Sequence, residues 1–329
     1  MIELIIVLAL LGGQLIKVPI ANYGGVIVLD LSVALLIIWG LIYLKFKLAK
    51  PPTFIKLGIA FSTLSLFSLL LTPLHLSLTE ISVSAMYLVR FLSYLFLGYL
   101  IFSGAFQTLR EKLTSTLIHS GTLLSVLGLF QFIFLPDLYF LQTTGWDPHY
   151  FRVVSTFLDP NFLGAFLVIP LILIFQNHPI TSKRKWNIIM ILLIYITILL
   201  TFSRSSYLMF FVSLSALAYF KRSIKIFILS ALLSAGLLLG FQIYTQSVSQ
   251  PKNIDREKSA ASRLNTWQQG INIFQKSPLL GTGFNSYRFA LKEYGFARDD
   301  FLTSHGSSSN ASSLLFVLAT TGVLGTAAY

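Results

Sequence analysis

The sequence has no cysteine and very little charge. Without cysteine there are no disulfides and no thiolate metal sites, and nothing is said of compartment. Only 11% of the residues are Asp, Glu, Lys or Arg, where a soluble domain carries about a quarter because its surface must face water. Carboxylates are nearly absent from the apolar runs, with Asp30 the main one, so the carboxylate chains of ion-coupled pumps are missing. There is no Gly-rich nucleotide loop, no nucleophile elbow and no zinc motif. The five histidines, at positions 75, 119, 149, 178 and 305, are too scattered for metal-ligand spacing.

What remains is apolar. Such residues make up 55% of the 329, 29 of them Phe, and the mean hydropathy is +0.77. Lipid is the solvent this composition suits, and the fold class it predicts is all-α, a polytopic transmembrane bundle. Apolar runs fall near 2–16, 23–44, 54–72, 83–102, 116–135, 156–176, 187–202, 206–220 and 224–244. Residues 1–244 thus read as a bundle of nine spans, the first a retained span rather than a signal peptide, since Glu3 stands where a basic flank belongs. A further run begins near 311 and is still apolar at Tyr329, which predicts about ten spans in this chain, the last one cut short.

The net charge of +12 points to basic loops rather than to nucleic acid. Lys45, Lys47, Lys50 and Lys56 flank one loop, Arg110 and Lys112 a second, Lys183 to Lys185 a third, and Lys221, Arg222 and Lys225 a fourth. The intervening short loops hold only Lys17, Arg152 and Arg204. This alternation predicts a cytoplasmic N-terminus and places Arg152, Arg204 and the polar segment 245–310 outside. Within that segment Leu264, Trp267, Ile271 and Phe274, then Phe284, Tyr287, Leu291 and Tyr294, recur at helical spacing. Two amphipathic helices joined by a turn at 277–283 are expected, lying on the membrane or capping a cavity.

Candidate chemistry lies at the outer face. Arg204 sits in Thr201-Phe202-Ser203-Arg204-Ser205, a link so short that its guanidinium stays at the membrane boundary, the depth of a lipid phosphate. Arg152 precedes Asp159-Pro160-Asn161, where Asp159 as N-cap and Pro160 at N1 open a helix. Arg263 begins the first amphipathic helix. Arg90 lies well inside a span and must face the bundle or a water-filled cavity, binding substrate or helix carbonyls. His305 precedes the last run, and histidine is the usual base near neutral pH. Asp299-Asp300 is an adjacent acidic pair able to hold a divalent ion or simply to stay solvated. Arginine forks beside lipid suit a lipid-linked pyrophosphate, whose departure as an anion they would stabilise.

Four passages resemble the bacterial O-antigen ligase and O-antigen polymerase superfamily, integral membrane glycosyltransferases of the GT-C type. They are Arg152 to Gly164, Leu200 to Tyr207, Ser262 to Gly283 with its Pro-Leu-Leu-Gly-x-Gly-Phe close, and His305 to Gly325. The resemblance covers the chain from near residue 80 to the end. It implies an undecaprenyl-pyrophosphate-linked oligosaccharide as donor, a glycan or lipid-glycan acceptor, no cofactor and no metal. It further implies an inverting transfer at the outer face of the bacterial inner membrane.

The resemblance implies that Arg204 and Arg263 bind the pyrophosphate; Arg152, Arg90 and Asn161 are read from their positions as further donor contacts. His305 would activate the acceptor hydroxyl. The sequence departs from the pattern at that histidine, which normally stands directly before Asn and an aromatic. Here His305 comes earlier and Asn310-Ala311-Ser312-Ser313 occupies the place, so either the histidine has moved with the loop or another base serves. The competing reading is a polytopic transporter of a small anion or other solute.

Overall fold

A computed structural model describes residues 2–20, 24–144, 146, 149–176, 184–247, 256–296 and 310–329. Among them it forms twelve α-helices and one two-stranded hairpin. Chain packing divides them into two compact units, each assembled from separate stretches of sequence.

The first unit comprises Met1–Ile16, Thr108–Gln142 and Pro148–Pro251. It holds α1 (Ile2–Gly12), α5 (Gln107–Phe134), α6 (Pro160–Gln176), α7 (Arg184–Thr201), α8 (Arg204–Phe220) and α9 (Ile224–Ser247). Helix α6 is its centre and packs on α7 and α8. Leu163, Leu167, Leu171 and Ile174 repeat at three- and four-residue spacing and are buried with Ile194, Ile198, Phe210 and Leu214. Small residues let these helices approach. A β-carbon on Gly164 would lie 2.3 Å from Ser206 Oγ, and one on Gly121 of α5 would lie 2.5 Å from the ring of Pro170. Pro170 forfeits one helical hydrogen bond, and its ring fills the space that Gly121 leaves.

The second unit comprises Lys17–Gln107, Thr143–Asp147 and Lys252–Tyr329. Strands β1 (Lys17–Ile20) and β2 (Gly24–Ile27) form an antiparallel hairpin ahead of α2 (Val28–Tyr43). The sequence places a span start at 23, but Pro19 and the Gly24-Gly25 pair disfavour helix, Val26-Ile27 favour extended chain, and Asp30 then caps α2 by accepting the Ile27 amide at 3.1 Å. Helix α3 (Thr53–Leu70) packs on α4 (Leu78–Phe102) and on α12 (Ser313–Ala328), and α12 packs on α10 (Arg256–Lys276). Helix α4 begins ahead of its apolar run because Ser77 and Glu80 form a reciprocal capping box.

Helix α12 is broken. Gly322 has φ 65° and ψ −169°. The turn that joins α10 to α11 (Tyr287–Glu293) supplies the missing hydrogen bonds. The amides of Thr282 and Gly283 each donate at 3.0 Å to the carbonyls of Ala319 and Thr320, while the Val323 amide donates to Pro278 at 2.9 Å. The hydroxyl of Ser68 on α3 donates to the Thr320 carbonyl at 2.7 Å. Two passages distant in sequence, Pro-Leu-Leu-Gly-x-Gly and Thr-Gly-Val-Leu-Gly, are therefore one interlocked element.

Among the described residues, four helical stretches are long and apolar enough to cross a membrane: Thr53–Leu70, Leu78–Phe102, Glu111–Phe134 and Ile224–Ser247. Glu3–Gly12, Val28–Tyr43, Pro160–Gln176, Lys185–Thr201 and Ser313–Ala328 are apolar and shorter. The two expected amphipathic helices correspond to α10 and α11, of which α10 begins earlier and α11 is a brief seven residues. Leu264, Trp267 and Ile271 lie exposed on α10.

Candidate functional site

In the first unit, residues 149–161 run from the loop after α5 to the first turn of α6. Backbone pairing fixes the strap: the Phe151 amide donates to the Pro136 carbonyl at 2.8 Å and the Val153 amide to the Leu200 carbonyl at 2.9 Å. Gln131 of α5 holds it from below, its Oε1 accepting the Val154 amide at 3.0 Å. Phe151, Ser155 and Leu158 all take positive φ, a conformation that costs a non-glycine residue energy and persists here under these bonds.

Arg152 is half-buried. Its Nε donates to the Thr201 carbonyl at 2.8 Å and its Nη2 to the Phe202 carbonyl at 3.3 Å. A guanidinium thus sits against the C-terminal carbonyls of α7, where positive charge is favourable. Helix α7 ends because Phe202 turns to φ 47°, and its ring stacks on Tyr244 of α9 at 3.8 Å between centroids.

One residue later α8 starts. The Ser203 hydroxyl accepts the Ser206 amide at 3.3 Å as an N-cap. The same hydroxyl donates to Asn161 Oδ1 at 2.7 Å. Asn161 stands in the first turn of α6, which Asp159 caps by accepting the Asn161 and Phe162 amides at 2.6 and 3.0 Å. Asp159, Asn161 and Ser203 thereby bring two helix N-termini together, and their dipoles give the corner a positive potential. Arg204, the first residue of α8, is exposed there with its guanidinium carbon 5.9 Å from the centroid of the Phe241 ring. An arginine at a helix N-terminus is disfavoured by the dipole.

The second unit holds the other candidates. Arg90 is paired: its Nη2 donates to Asp30 Oδ2 at 2.6 Å and to the Gly25 carbonyl at 2.7 Å. Tyr94 adds a hydrogen bond to Asp30 Oδ1 at 3.1 Å, and the guanidinium lies 5.0 Å over the Tyr87 ring. Arg263 is exposed on α10. One turn further on, Asn310 packs against Gly270 and donates from Nδ2 to the Thr266 carbonyl and, at 2.8 Å, to the Tyr287 hydroxyl. Asn310, the first residue of the Asn310-Ala311-Ser312-Ser313 stretch, is thus buried and bonded into α10 and α11. His305 lies outside the described residues, as do Asp299, Asp300, His178 and Lys183. Among the described residues no group of three or more His, Asp or Glu side chains is placed to hold a metal ion.

One residue that the spacing argument set aside belongs to the strap. His149 has its Nε2 buried with no hydrogen-bond partner. Burial, and after it the charge of Arg152, push the ring down to about 4, against a smaller upward pull from Asp159. Its place three residues before Arg152 was the signal in the sequence.

Residues 188–329 match the family model of O-antigen ligase. The matched segment is similar to the O-antigen ligase family. That segment takes in α8 to α12, hence Arg204, Arg263 and the interlocked glycine motifs, whereas Arg90, His149, Arg152 and Asn161 precede it. It supports the O-antigen ligase and polymerase superfamily that the motifs resemble, and an O-antigen ligase-like function in general. With the apolar helices it marks a membrane protein. No curated protein matches the chain.

Proposed function

We propose that the protein transfers a glycan from undecaprenyl pyrophosphate to a hydroxyl acceptor at the extracytoplasmic face of a bacterial inner membrane, inverting the anomeric centre without metal. The observation that carries this reading is Arg204, exposed at the joined N-termini of α6 and α8 and inside the segment that matches O-antigen ligase. Such a corner suits a diphosphate bound to lipid at the membrane boundary.

The acceptor oxygen forms its bond to the anomeric carbon as the carbon–oxygen bond to the diphosphate breaks. The diphosphate leaves with the electron pair, and Arg204 and Arg263 are the proposed ligands for its growing charge. His305 is the proposed base for the hydroxyl proton. Arg152 acts through the end of α7, and Asn161 sets the hydroxyls of the α8 cap. Arg90, paired with Asp30, is a donor contact only if that pair opens.

The test is donor turnover by the full chain in proteoliposomes, with an undecaprenyl-diphosphate oligosaccharide, candidate acceptors and EDTA. Wild type should consume donor while Arg204→Ala and Arg263→Ala, inserted and folded, lose about 100-fold or more. Equal turnover by all three would make the arginines membrane anchors and overturn the mechanism. Solute flux without turnover would support the transporter reading instead.

A further inference from the structure

The turn from α8 to α9 carries positive charge that the first unit does not balance. Lys221, Arg222 and Lys225 fall close together, and the sequence has no Asp or Glu between Asp159 and Asp255. The carboxylates described elsewhere in this unit have other places. Glu3 pairs with Lys112 at 3.2 Å, Glu111 lines a separate cavity between α5 and α7, Asp137 accepts the Tyr139 amide and Asp159 caps α6. Lys221 is answered by the fold, its Nζ donating to the carbonyls of Phe175 and Gln176 at 3.3 and 3.0 Å. Among the described residues Arg222 has no carboxylate partner. It lines a cavity of about 590 Å³ with Tyr219, Phe220, Ile224 and Phe227. Tyr219 and Phe220 are 79% and 81% exposed, so the walls are apolar and open. Helix α9 starts here and is long and apolar enough to cross a membrane, which sets the cavity where hydrocarbon meets headgroups. The backbone adds a second sign. Helix α8 closes with the Ser223 amide on the Ala218 carbonyl at 2.9 Å and the Arg222 amide on Tyr219 at 3.1 Å. Arg222 thereby takes φ 49°, the left-handed position that glycine usually fills. An arginine is unfavourable there, so the turn itself does not call for it.

We propose that this cavity is a binding site for an anionic phospholipid. The Arg222 guanidinium donates to the headgroup phosphate, and Lys225, in the first turn of α9, adds positive potential. The acyl chains lie against Tyr219, Phe220, Ile224 and Phe227. A free phosphate would meet the cation and leave those walls bare, whereas a phospholipid satisfies both. Along α8 the site stands about 25 Å from Arg204, at the other end of that helix. It is therefore independent of the transferase reading.

The test reads hydrogen exchange over residues 218–227 of the full chain, in nanodiscs of phosphatidylglycerol and of phosphatidylcholine. In wild type the turn should exchange about tenfold more slowly in phosphatidylglycerol, and added salt should shrink the difference. Arg222→Lys should keep part of that protection. Arg222→Gly should lose it, although glycine suits the turn and its melting temperature in detergent should equal or exceed that of wild type. Arg222→Asn, also tolerant of positive φ, repeats the neutral arm with a side chain in place. Protection that survives in both neutral variants would show that Arg222 does not read the headgroup, and the cavity would be no such site. Equal exchange in the two lipids would overturn the proposal as well. If glycerol phosphate added to phosphatidylcholine discs protects the turn as fully as phosphatidylglycerol does, the ligand is a free anion and the lipid assignment falls.

Discussion

Gly281 fills part of the side-chain space of Gly322, and the backbone just before Gly322 fills that of Gly281. A β-carbon on Gly322 would stand 2.7 Å from the Gly281 amide nitrogen and 2.3 Å from the Leu279 carbonyl oxygen; one on Gly281 would stand 2.4 Å from the Thr320 carbonyl carbon. Both residues have positive φ, 72° and 65°. Alanine at either position therefore meets backbone atoms on one side and a disfavoured conformation on the other. Gly281→Ala and Gly322→Ala should each destabilise the protein by about 2 kcal/mol or more. The double variant should cost less than the sum, because the same interlock is lost twice. Thermal unfolding in a single detergent measures both.

The Arg90–Asp30 pair separates a structural role from a binding one. Removing one partner leaves the other charged and half-buried, a loss of about 3–5 kcal/mol for a buried pair and less here, where the two side chains remain 25% and 15% exposed. Arg90→Met should lower the melting temperature by several degrees, and Arg90→Met with Asp30→Leu should recover much of it. Turnover decides the rest. If the stable double variant retains wild-type KM for donor, Arg90 holds α2 to α4 and nothing more; a KM raised tenfold would make it a donor contact.

Asn161 should tolerate a change of charge poorly. Asn161→Asp keeps an acceptor for the Ser203 hydroxyl but places a carboxylate where two helix dipoles favour an anion. Donor KM should rise about tenfold, with the melting temperature nearly unchanged. A variant with normal KM would show that the corner does not receive the diphosphate.

Stability should depend on pH through His149. Its folded value is about 4, below the ordinary 6.5 or so of an unfolded histidine. Between those values the unfolded chain binds the extra proton, so stability rises with pH across that window. The contribution is fully present above about pH 6.5 and disappears as pH falls through about 4. It amounts to roughly 3 kcal/mol at most. Chemical denaturation at pH 7 and pH 4.5 should show a smaller acid loss for His149→Gln than for wild type. Equal losses would mean the ring titrates normally.

Much of the fold was legible because apolar length is a direct physical requirement of lipid. The runs at 54–72 and 224–244 match α3 and α9 to within a few residues. Boundaries failed where a local device outweighs hydropathy. Ser77 and Glu80 start α4 early, and the Gly24-Gly25 hairpin delays α2. The Asp159-Pro160 helix start was readable from residue type alone, and the structure has both in those positions. The pairing of Arg90 with Asp30 spans 60 positions, and no periodicity could reveal it. His149 was visible as a residue, but its buried ring nitrogen is a property of packing.

The interlock also orders events in time. The turn at 277–283 leaves the ribosome before α12 does, and the carbonyls of Ala319 and Thr320 that its amides bond do not yet exist. Until α12 arrives, that turn has no template, and the conformation joining α10 to α11 waits on it. The turn between α10 and α11 is thus shaped by a helix made after it, and a defect in α12 would be felt first in that turn.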